Sequence, residues 1–318
     1  MILGKEKNIE SELWFKAEMT HRQFLALSHK LSNSDIENEI INIEYFKYNL
    51  KRSKNAQNIE IEKLLNNSWN TENILISNQA IIDNSGQSFA LQWAFPQAYY
   101  SIFSSLLAYY KTAGYTESSH TAVLKKFGSL VLEDKLPYSI SFHTNGAKKK
   151  LTYNKINKQN GLKSIDLDLS NNESIENQIC QFLKSTREIK LNEKAPEIIK
   201  NLKLKTKNGQ PKKNLSVFEW AKVSNSISIT TIMDLLYRKR IKSNYMEIDV
   251  FTYEKLKGKD ILDSLCTIVD RLNLVNEAYI LKAIGEKDFE YIKNKYTTKV
   301  SNIKLDNRFK IIQSLGNA

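Results

Sequence analysis

The stretch LQWAFPQAYYSIFSSLLAYYKTAGY, residues 91–115, decides the fold class of this chain. Its residues are apolar on most faces of a helix, and a helix that is hydrophobic all round lies buried inside a protein. We expect the helix to begin near Pro96 and to end at Gly114. Its aromatic residues could stack on nucleic-acid bases, but their helical spacing favours packing in the core: Trp93, Phe95, Tyr99, Tyr100, Phe103, Tyr109 and Tyr110.

The flanking sequence predicts further helices around this central one. Ser216 and Glu219 match a capping box, in which a hydroxyl and a carboxylate three residues later both bond backbone N–H groups at the start of a helix. The helix that follows runs to about Tyr245. A later amphipathic stripe recurs at spacings of four and three: Ile261, Leu265, Ile268, Leu272 and Val275. With only 10 glycines and 4 prolines in 318 residues, the chain suits long helices, and we predict a mainly α fold.

A small β-hairpin interrupts the helical pattern. Apolar and polar residues alternate from Ile140 to Phe142 and again from Leu151 to Tyr153. Asn145-Gly146 lies between them and is typical of a two-residue type I′ turn. Alternation at Ile165, Leu167 and Leu169 predicts a third strand. We therefore divide the chain into a helical bundle, residues 1–135 and 215–290, a basic α+β insertion, residues 136–214, and a C-terminal helical extension, residues 291–318.

Positive charge is concentrated in that insertion. The chain has a formal net charge of +12, and residues 135–215 hold 17 Lys or Arg against 7 Asp or Glu. Such a surface attracts an anionic partner, most often nucleic acid. A solvated charge run is the alternative. The candidate nucleic-acid contacts are Lys148, Lys149, Lys150, Lys212 and Lys213.

Several classes of protein are excluded by what the sequence lacks. It contains no phosphate-binding loop, dinucleotide fingerprint, HExxH zinc motif or GxSxG elbow. No apolar run is long enough to span a membrane, and the charged N-terminus does not resemble a signal peptide, so we expect a cytoplasmic protein. Two distant cysteines and four histidines do not suggest a disulfide or a metal site. We expect no cofactor and no metal.

Two segments resemble the HEPN superfamily, helical-bundle domains common in prokaryotic toxin and antiviral systems. The first is QAYYSIF, residues 97–103, followed by Gly114-Tyr115, Ser119-His120 and Val123-Leu124. Many HEPN proteins have an AYYAxF-like helix, a KGY-like end and a polar turn carrying Ser-His. The second is RKRIKSNYMEID, residues 238–249. HEPN ribonucleases end a helix with Arg, four to six residues, His, and often a Tyr two places later.

The resemblance implies site residues around the end of this helix. In the family the Arg binds the scissile phosphate and the His moves a proton, usually across a dimer interface and without metal. The family's Arg corresponds to Arg238 and its Tyr to Tyr245, but Ser243 replaces the His, and a serine hydroxyl does not accept a proton at neutral pH. Because residues seven or four apart share a helix face, Arg240 and Asn244 are the second candidate pair. A solvated basic helix end is the structural alternative.

The four histidines offer alternatives to the missing one. Arg22 and His29 match the spacing of the motif, but we expect them to be surface or capping residues. We expect His120 to cap or pack locally, and His143 to be an exposed residue of the hairpin.

Three functions remain open on the sequence. The first is an RNA-associated HEPN-like effector of a toxin or antiviral defence system that cleaves RNA without metal. The second is an inactive HEPN module that binds nucleic acid or a cognate partner protein. The third is an unrelated basic helical adaptor. The resemblance, together with the apolar character of residues 91–115 and 253–283, also implies a homodimer.

Overall fold

The computed structural model describes residues 2–54, 58–85, 91–148, 150–158, 167–206, 210–212, 214–253, 257–297 and 303–316. Its α-helices are α1 (Ile2–Ser32), α2 (Ile36–Asn42), α3 (Asn58–Ser85), α4 (Leu91–Thr112), α5 (His120–Leu132), α6 (Asn172–Asn201), α7 (Val217–Asn225), α8 (Ile232–Ile241), α9 (Ile248–Phe251), α10 (Gly258–Ile284), α11 (Glu286–Thr297) and α12 (Ile303–Gly316). The strands are β1 (His143–Ala147), β2 (Lys150–Asn154) and β3 (Thr230–Thr231). The predicted class, mainly α with a small β-hairpin, is confirmed.

Helix α4 lies at the centre of the bundle, between α3 and α10. Most of its side chains are buried. A helix with apolar residues on every side is most stable when neighbouring helices shield all of its faces from water. The helix already begins at Leu91, so Pro96 lies inside it and not at its start. Trp93 is an exception to the expected aromatic core, since 56% of it is exposed.

Small polar residues join α4 to α10. Ser105 donates a hydrogen bond to Asn273 Oδ1 at 2.7 Å, and the Asn273 amide donates to Ser101 Oγ at 3.0 Å. The Asn276 amide donates to Ser105 Oγ at 2.8 Å. Buried polar groups cost free energy unless they are hydrogen-bonded, and here serines and asparagines satisfy one another. This network fixes how the two central helices align.

The hairpin exists, but its turn is not at Asn145-Gly146. Gly146 pairs with Leu151 and Ala147 with Lys150, so both residues of the predicted turn belong to β1. Gly146 has φ +97°, and a Cβ there would lie 2.2 Å from the Lys150 carbonyl oxygen. The glycine is therefore needed for close approach of the two strands, and the turn follows Ala147.

The third strand also differs from the prediction. Ile165 lies outside the described residues, and Leu167 and Leu169 are not in a strand. Instead β3 pairs antiparallel with β1, opposite His143 and Thr144, and the sheet order is β2-β1-β3. Local alternation could not reveal this pairing, because β3 has only two residues and lies immediately before α8.

The described parts of residues 136–214, together with residues 303–316, contribute to the same main hydrophobic core as the bundle. Phe182 of α6 packs against Phe24 of α1, with ring centroids 5.9 Å apart. Phe309 of α12 packs edge-on against Trp69 of α3 at 5.3 Å. The predicted division into bundle, insertion and extension therefore does not correspond to separate cores.

The apolar surfaces expected to form a homodimer are covered within the chain. Both α4 and α10 bury most of their side chains against other helices of the same protein. A dimer remains a prediction, but it requires a different surface. No helix within the described ranges is long and apolar enough to cross a membrane.

Candidate functional site

Helix α8 carries the predicted motif, and capping interactions determine where it begins. Asp234 accepts hydrogen bonds from the Thr231 backbone N–H at 2.8 Å and from the Thr231 hydroxyl at 3.1 Å. Such a cap satisfies donors at the start of the helix, where the backbone lacks intrahelical partners. At its other end α8 passes into a π-helical turn, Lys242–Met246. Because a π turn changes the register, the seven-residue spacing from Arg238 to Tyr245 does not place the two on one α-helical face.

The predicted site residues are consequently separated. Arg238 is half-buried and donates to the Ser185 hydroxyl at 2.7 Å and the Thr186 hydroxyl at 3.0 Å. Tyr245 is 71% exposed. In the parts of the chain that the structure describes, no hydrogen bond or ring contact joins Asn244 or Tyr245 to either arginine.

Ser243, which replaces the family's histidine, is completely buried and donates a hydrogen bond to the Arg240 carbonyl at 3.2 Å. A histidine here would have to displace core side chains. Position 243 therefore does not present a proton-transfer group to the surface.

Arg240 faces a cluster of aromatic rings on α4 and α8. It donates a hydrogen bond to the Tyr100 hydroxyl, and its guanidinium carbon lies 5.0 Å from the Tyr100 ring centroid. The same carbon lies 5.9 Å from the centroid of Tyr237. No described carboxylate forms an ion pair with Arg240. Arg240 is half-buried, and without an ion-pair partner its positive charge remains available to an external anion.

His120 lies in the same cluster, at the first residue of α5. Its Nδ1 is 2.9 Å from the Tyr99 hydroxyl oxygen, and its ring centroid is 6.0 Å from that of Tyr100 and 5.4 Å from that of Tyr237. His120 and Arg240 thus share two tyrosine rings. We name the set His120, Arg240, Tyr99, Tyr100 and Tyr237 the His120–Arg240 cluster.

The electrostatics of this cluster favour a neutral imidazole. The pKa of His120 is lowered from 6.5, first because burial disfavours the charged ring and then because Arg240 repels a second positive charge. Burial raises the pKa of Tyr99 well above its usual range, so its hydroxyl keeps its proton. At neutral pH His120 can therefore act as a base, oriented by Tyr99.

The other histidines are engaged elsewhere. His21 Nε2 lies 3.0 Å from Asp260 Oδ2, and His29 contacts Asn33. His143 is buried, 6% exposed, so the expectation of an exposed strand residue is wrong. His143 begins β1 and lies between Asn154 of β2 and Thr231 of β3, and its Nδ1 is 2.9 Å from the Ser141 carbonyl oxygen.

The alternative pair Arg22 and His29 lacks a free cation. Arg22 forms an ion pair with Glu18 at 2.6 Å, which neutralises its guanidinium. His120 is consequently the histidine that lies beside an arginine without a carboxylate partner, as far as the described residues show.

The candidate lysines fall into different environments. Lys150 is exposed, and Lys148 lies over the Trp220 ring, 4.5 Å from its centroid. Lys212 forms an ion pair with Glu219 at 2.7 Å and is partly neutralised. Lys149 and Lys213 lie outside the described residues. The exposed cationic surface of this set is therefore on the hairpin.

The comparison with family models finds no match, and the same holds for the curated proteins and for the solved structures. Membership of the HEPN superfamily thus rests on the short motifs and remains a proposal. Among the described residues no group of three or more His, Cys, Asp or Glu side chains could hold a metal ion, and Cys180 and Cys266 are buried and unbridged.

His120 is the site residue whose importance the sequence did not reveal. The Ser119-His120 pair was visible after the aromatic helix, and Ser119 does cap α5 by accepting from the Ala122 backbone N–H at 3.3 Å. The contact with the Arg240 region depends on α5 and α8 both packing against Tyr99 and Tyr100, near the middle of α4. No local pattern encodes that proximity.

Proposed function

We propose that this protein binds RNA and cleaves it without a metal ion, with Arg240 holding the phosphate and His120 accepting the 2′-hydroxyl proton. The observation that carries the proposal is the shared environment of these two side chains around Tyr100 and Tyr237. A planar guanidinium matches two phosphate oxygens and stays charged. A neutral imidazole near its pKa is the usual general base.

The proposed reaction needs no external reactant besides water. His120 takes the proton of the 2′-hydroxyl as that oxygen attacks the adjacent phosphorus. The bond from phosphorus to the 5′ oxygen breaks, the departing oxygen takes a proton from water, and the remaining hydroxide takes the proton that His120 holds. The products are a 2′,3′-cyclic phosphate and a 5′-hydroxyl.

As a HEPN-like protein, the chain would act in a toxin or antiviral defence system, with a homodimer and a cognate partner as further parts of the proposal.

A second candidate function is RNA binding without cleavage. It is favoured by the burial of Ser243 at the position where the family has its histidine. The net charge of +12 supports both candidates equally, because phosphate attraction does not depend on catalysis. An adaptor that binds no nucleic acid is the third alternative.

Cleavage and binding assays separate these functions. Labelled tRNA is incubated in EDTA with the wild type, His120→Gln and Arg240→Met, and binding is measured by fluorescence anisotropy. We expect His120→Gln to slow cleavage about 100-fold or more while leaving binding nearly unchanged, because it removes only the base. Arg240→Met should weaken both. In the wild type, cleavage should decline as the pH falls through the pKa of His120, below 6.5, because the protonated ring cannot accept a proton.

His29→Gln is the matched control, since His29 lies on α1 and contacts Asn33. Equal cleavage by His120→Gln and wild type would refute the proposed base. Binding by wild type without any cleavage would favour the inactive module, and the absence of both would favour the adaptor.

The hairpin lysines should contribute to the same binding. Replacing Lys148, Lys149 and Lys150 by Glu is expected to weaken RNA binding and to flatten its salt dependence, by roughly 0.7 in the logarithmic slope per lost phosphate contact on a single strand. The control is the triple Glu variant at Lys47, Lys51 and Lys54, which are exposed and make the same change in net charge. Similar affinities and slopes for both triple variants would mean that the hairpin is not a specific contact surface.

A further inference from the structure

A cavity of about 350 Å³ lies between α6 and the C-terminal half of α8. Its volume is in the range of sites that bind small molecules. Much of its wall is apolar, formed by side chains including Leu124, Ile189, Ile227, Ile241 and Met246. Tyr237 lines this cavity and also belongs to the His120–Arg240 cluster, but the two arginines have different surroundings.

Four cations line the cavity, and three of them are neutralised. Each of the three lysines has a carboxylate partner: Lys190 with Asp234 at 2.5 Å, Lys194 with Glu197 at 2.6 Å and Lys242 with Glu247 at 2.6 Å. The fourth cation, Arg238, forms no ion pair with a described residue. Positive charge in the wall is therefore balanced everywhere except at Arg238.

Arg238 is held by neutral groups only. Its Nη1 donates to the hydroxyls of Ser185 and Thr186, while its Nε is buried without a hydrogen-bond partner. Phe182 lies behind it, with the ring centroid 5.9 Å from the guanidinium carbon. A half-buried guanidinium that lacks an ion-pair partner is stabilised when an anion binds beside it.

The acidic side chains near Arg238 do not form an ion pair with it. Glu193 also lines the cavity, but it is exposed and forms no ion pair with Arg238 in the described structure. Glu247 is close enough to favour the charged form of Arg238, yet its carboxylate is bonded to Lys242.

We propose that this cavity binds a small organic anion with an apolar body, and that the anionic group of the ligand pairs with Arg238. The anion gives Arg238 the ion-pair partner that it lacks, and the body displaces water from the aliphatic side chains. An inorganic ion would leave those apolar walls wet, and a neutral ligand would leave Arg238 unpaired. The ligand class is therefore an organic carboxylate, sulfonate or phosphate ester. This inference does not depend on RNA cleavage.

Two fluorescent probes of similar shape test the proposal. One is 8-anilinonaphthalene-1-sulfonate, which has an anionic group, and the other is N-phenyl-1-naphthylamine, which lacks it. We expect the wild type to bind the sulfonate with one-to-one stoichiometry and the neutral probe at least about tenfold more weakly, because a hydrogen-bonded ion pair is lost. Arg238→Met should weaken sulfonate binding about tenfold or more and leave the neutral probe unchanged.

Two further variants locate the probe and test the role of charge. Lys194→Met removes a cavity cation that is already paired and should change sulfonate affinity less than about twofold. Ile227→Trp should prevent both probes from binding, because the indole occupies the cavity. Circular dichroism melts establish that each variant is folded. Equal binding of the two probes by wild type, unchanged sulfonate affinity in folded Arg238→Met, or no sulfonate binding by wild type would each overturn the proposal.

Discussion

Replacing Arg308 by Met is expected to lower the free energy of unfolding by about 3–5 kcal/mol, because it leaves buried carboxylates without a counter-charge. Arg308 of α12 donates to Glu72 Oε1 at 2.7 Å and Oε2 at 2.8 Å, and to Glu277 Oε2 at 3.1 Å. Only 2% of Arg308 and Glu72 and none of Glu277 is exposed. Urea denaturation followed by circular dichroism measures the loss.

The matched control is Arg271→Met on α10. Arg271 lies on a partly exposed surface and forms no ion pair with a described residue, so its replacement should cost less than about 1 kcal/mol. A comparable loss in both variants would mean that the burial of Arg308 has no special role. A variant with Glu72→Gln, Glu277→Gln and Arg308→Met together should recover part of the lost stability, since the carboxylate of this network that remains, Asp270, is partly exposed to water.

The same network predicts how stability depends on pH. Burial raises the pKa of Glu277 to about 7, because two buried carboxylates share one guanidinium and a proton relieves the excess negative charge. In the unfolded chain this group titrates near 4.5. Between these values the folded protein holds the proton more tightly, so the contribution of Glu277 to stability is largest at low pH and declines as the pH rises toward 7.

Glu277→Gln isolates this contribution, since an amide resembles the protonated acid. Relative to wild type, the variant should gain stability as the pH increases from 5 to 8. A difference in the free energy of unfolding between variant and wild type that stays constant from pH 5 to 8 would contradict the raised pKa of Glu277. Measuring the difference between variant and wild type removes the titration of all other groups, which the two proteins share.

Replacing Arg187 by Met is the second change for which we expect a large loss, about 3 kcal/mol or more. Arg187 of α6 is fully buried and has no carboxylate partner among the described residues. Its guanidinium donates to the backbone carbonyls of Gly146 at 3.2 Å, of Ser224 at 3.3 Å and of Ser228. Each of these carbonyls loses the guanidinium donor in the variant. Urea denaturation again gives the magnitude.

Arg187 also explains why β1 continues through Asn145-Gly146. It donates to Asn145 Oδ1 at 3.1 Å as well as to the Gly146 carbonyl, and these bonds hold both residues in the strand. Burial lowers the pKa of Arg187 to about 10, so it remains charged at neutral pH. We therefore expect the Arg187→Met replacement to accelerate amide hydrogen exchange, relative to wild type, more in β1 than in α4.

Lys184→Met is the control for this prediction. Lys184 is exposed on the same helix, and surface substitutions usually change stability by less than about 0.5 kcal/mol. The free energy of unfolding of Arg187→Lys should lie between those of Arg187→Met and wild type, because lysine keeps the charge but lacks the planar guanidinium that reaches several carbonyls. If Arg187→Met were as stable as Lys184→Met, the guanidinium would not be a structural link.

Parts of the candidate site were readable from the sequence. The basic helix end was recognised, and Ser216 and Glu219 do form the predicted capping box. Whether a basic residue is neutralised was not readable: Arg240 has no carboxylate partner among the described residues, whereas Arg22, in a similar helical context, is paired with Glu18. The π-helical turn after Ile241 was also missed, because a change in helical register depends on which side chains the core accepts.

The sequence by itself determined the helical class, the central position of residues 91–112 and the presence of a hairpin near residue 145. Each of these follows from signals within a few residues, such as all-round apolarity, a capping box or alternation. Only the tertiary structure decided the turn of the hairpin, the pairing of β3 with β1, and the contacts of His120, Arg187 and Arg308. These depend on residues distant in the chain that packing brings together. The free energy of burying a charged side chain depends on the partner that it contacts. Because that partner is distant in the chain, the spacing of neighbouring residues cannot reveal the role of the charged side chain.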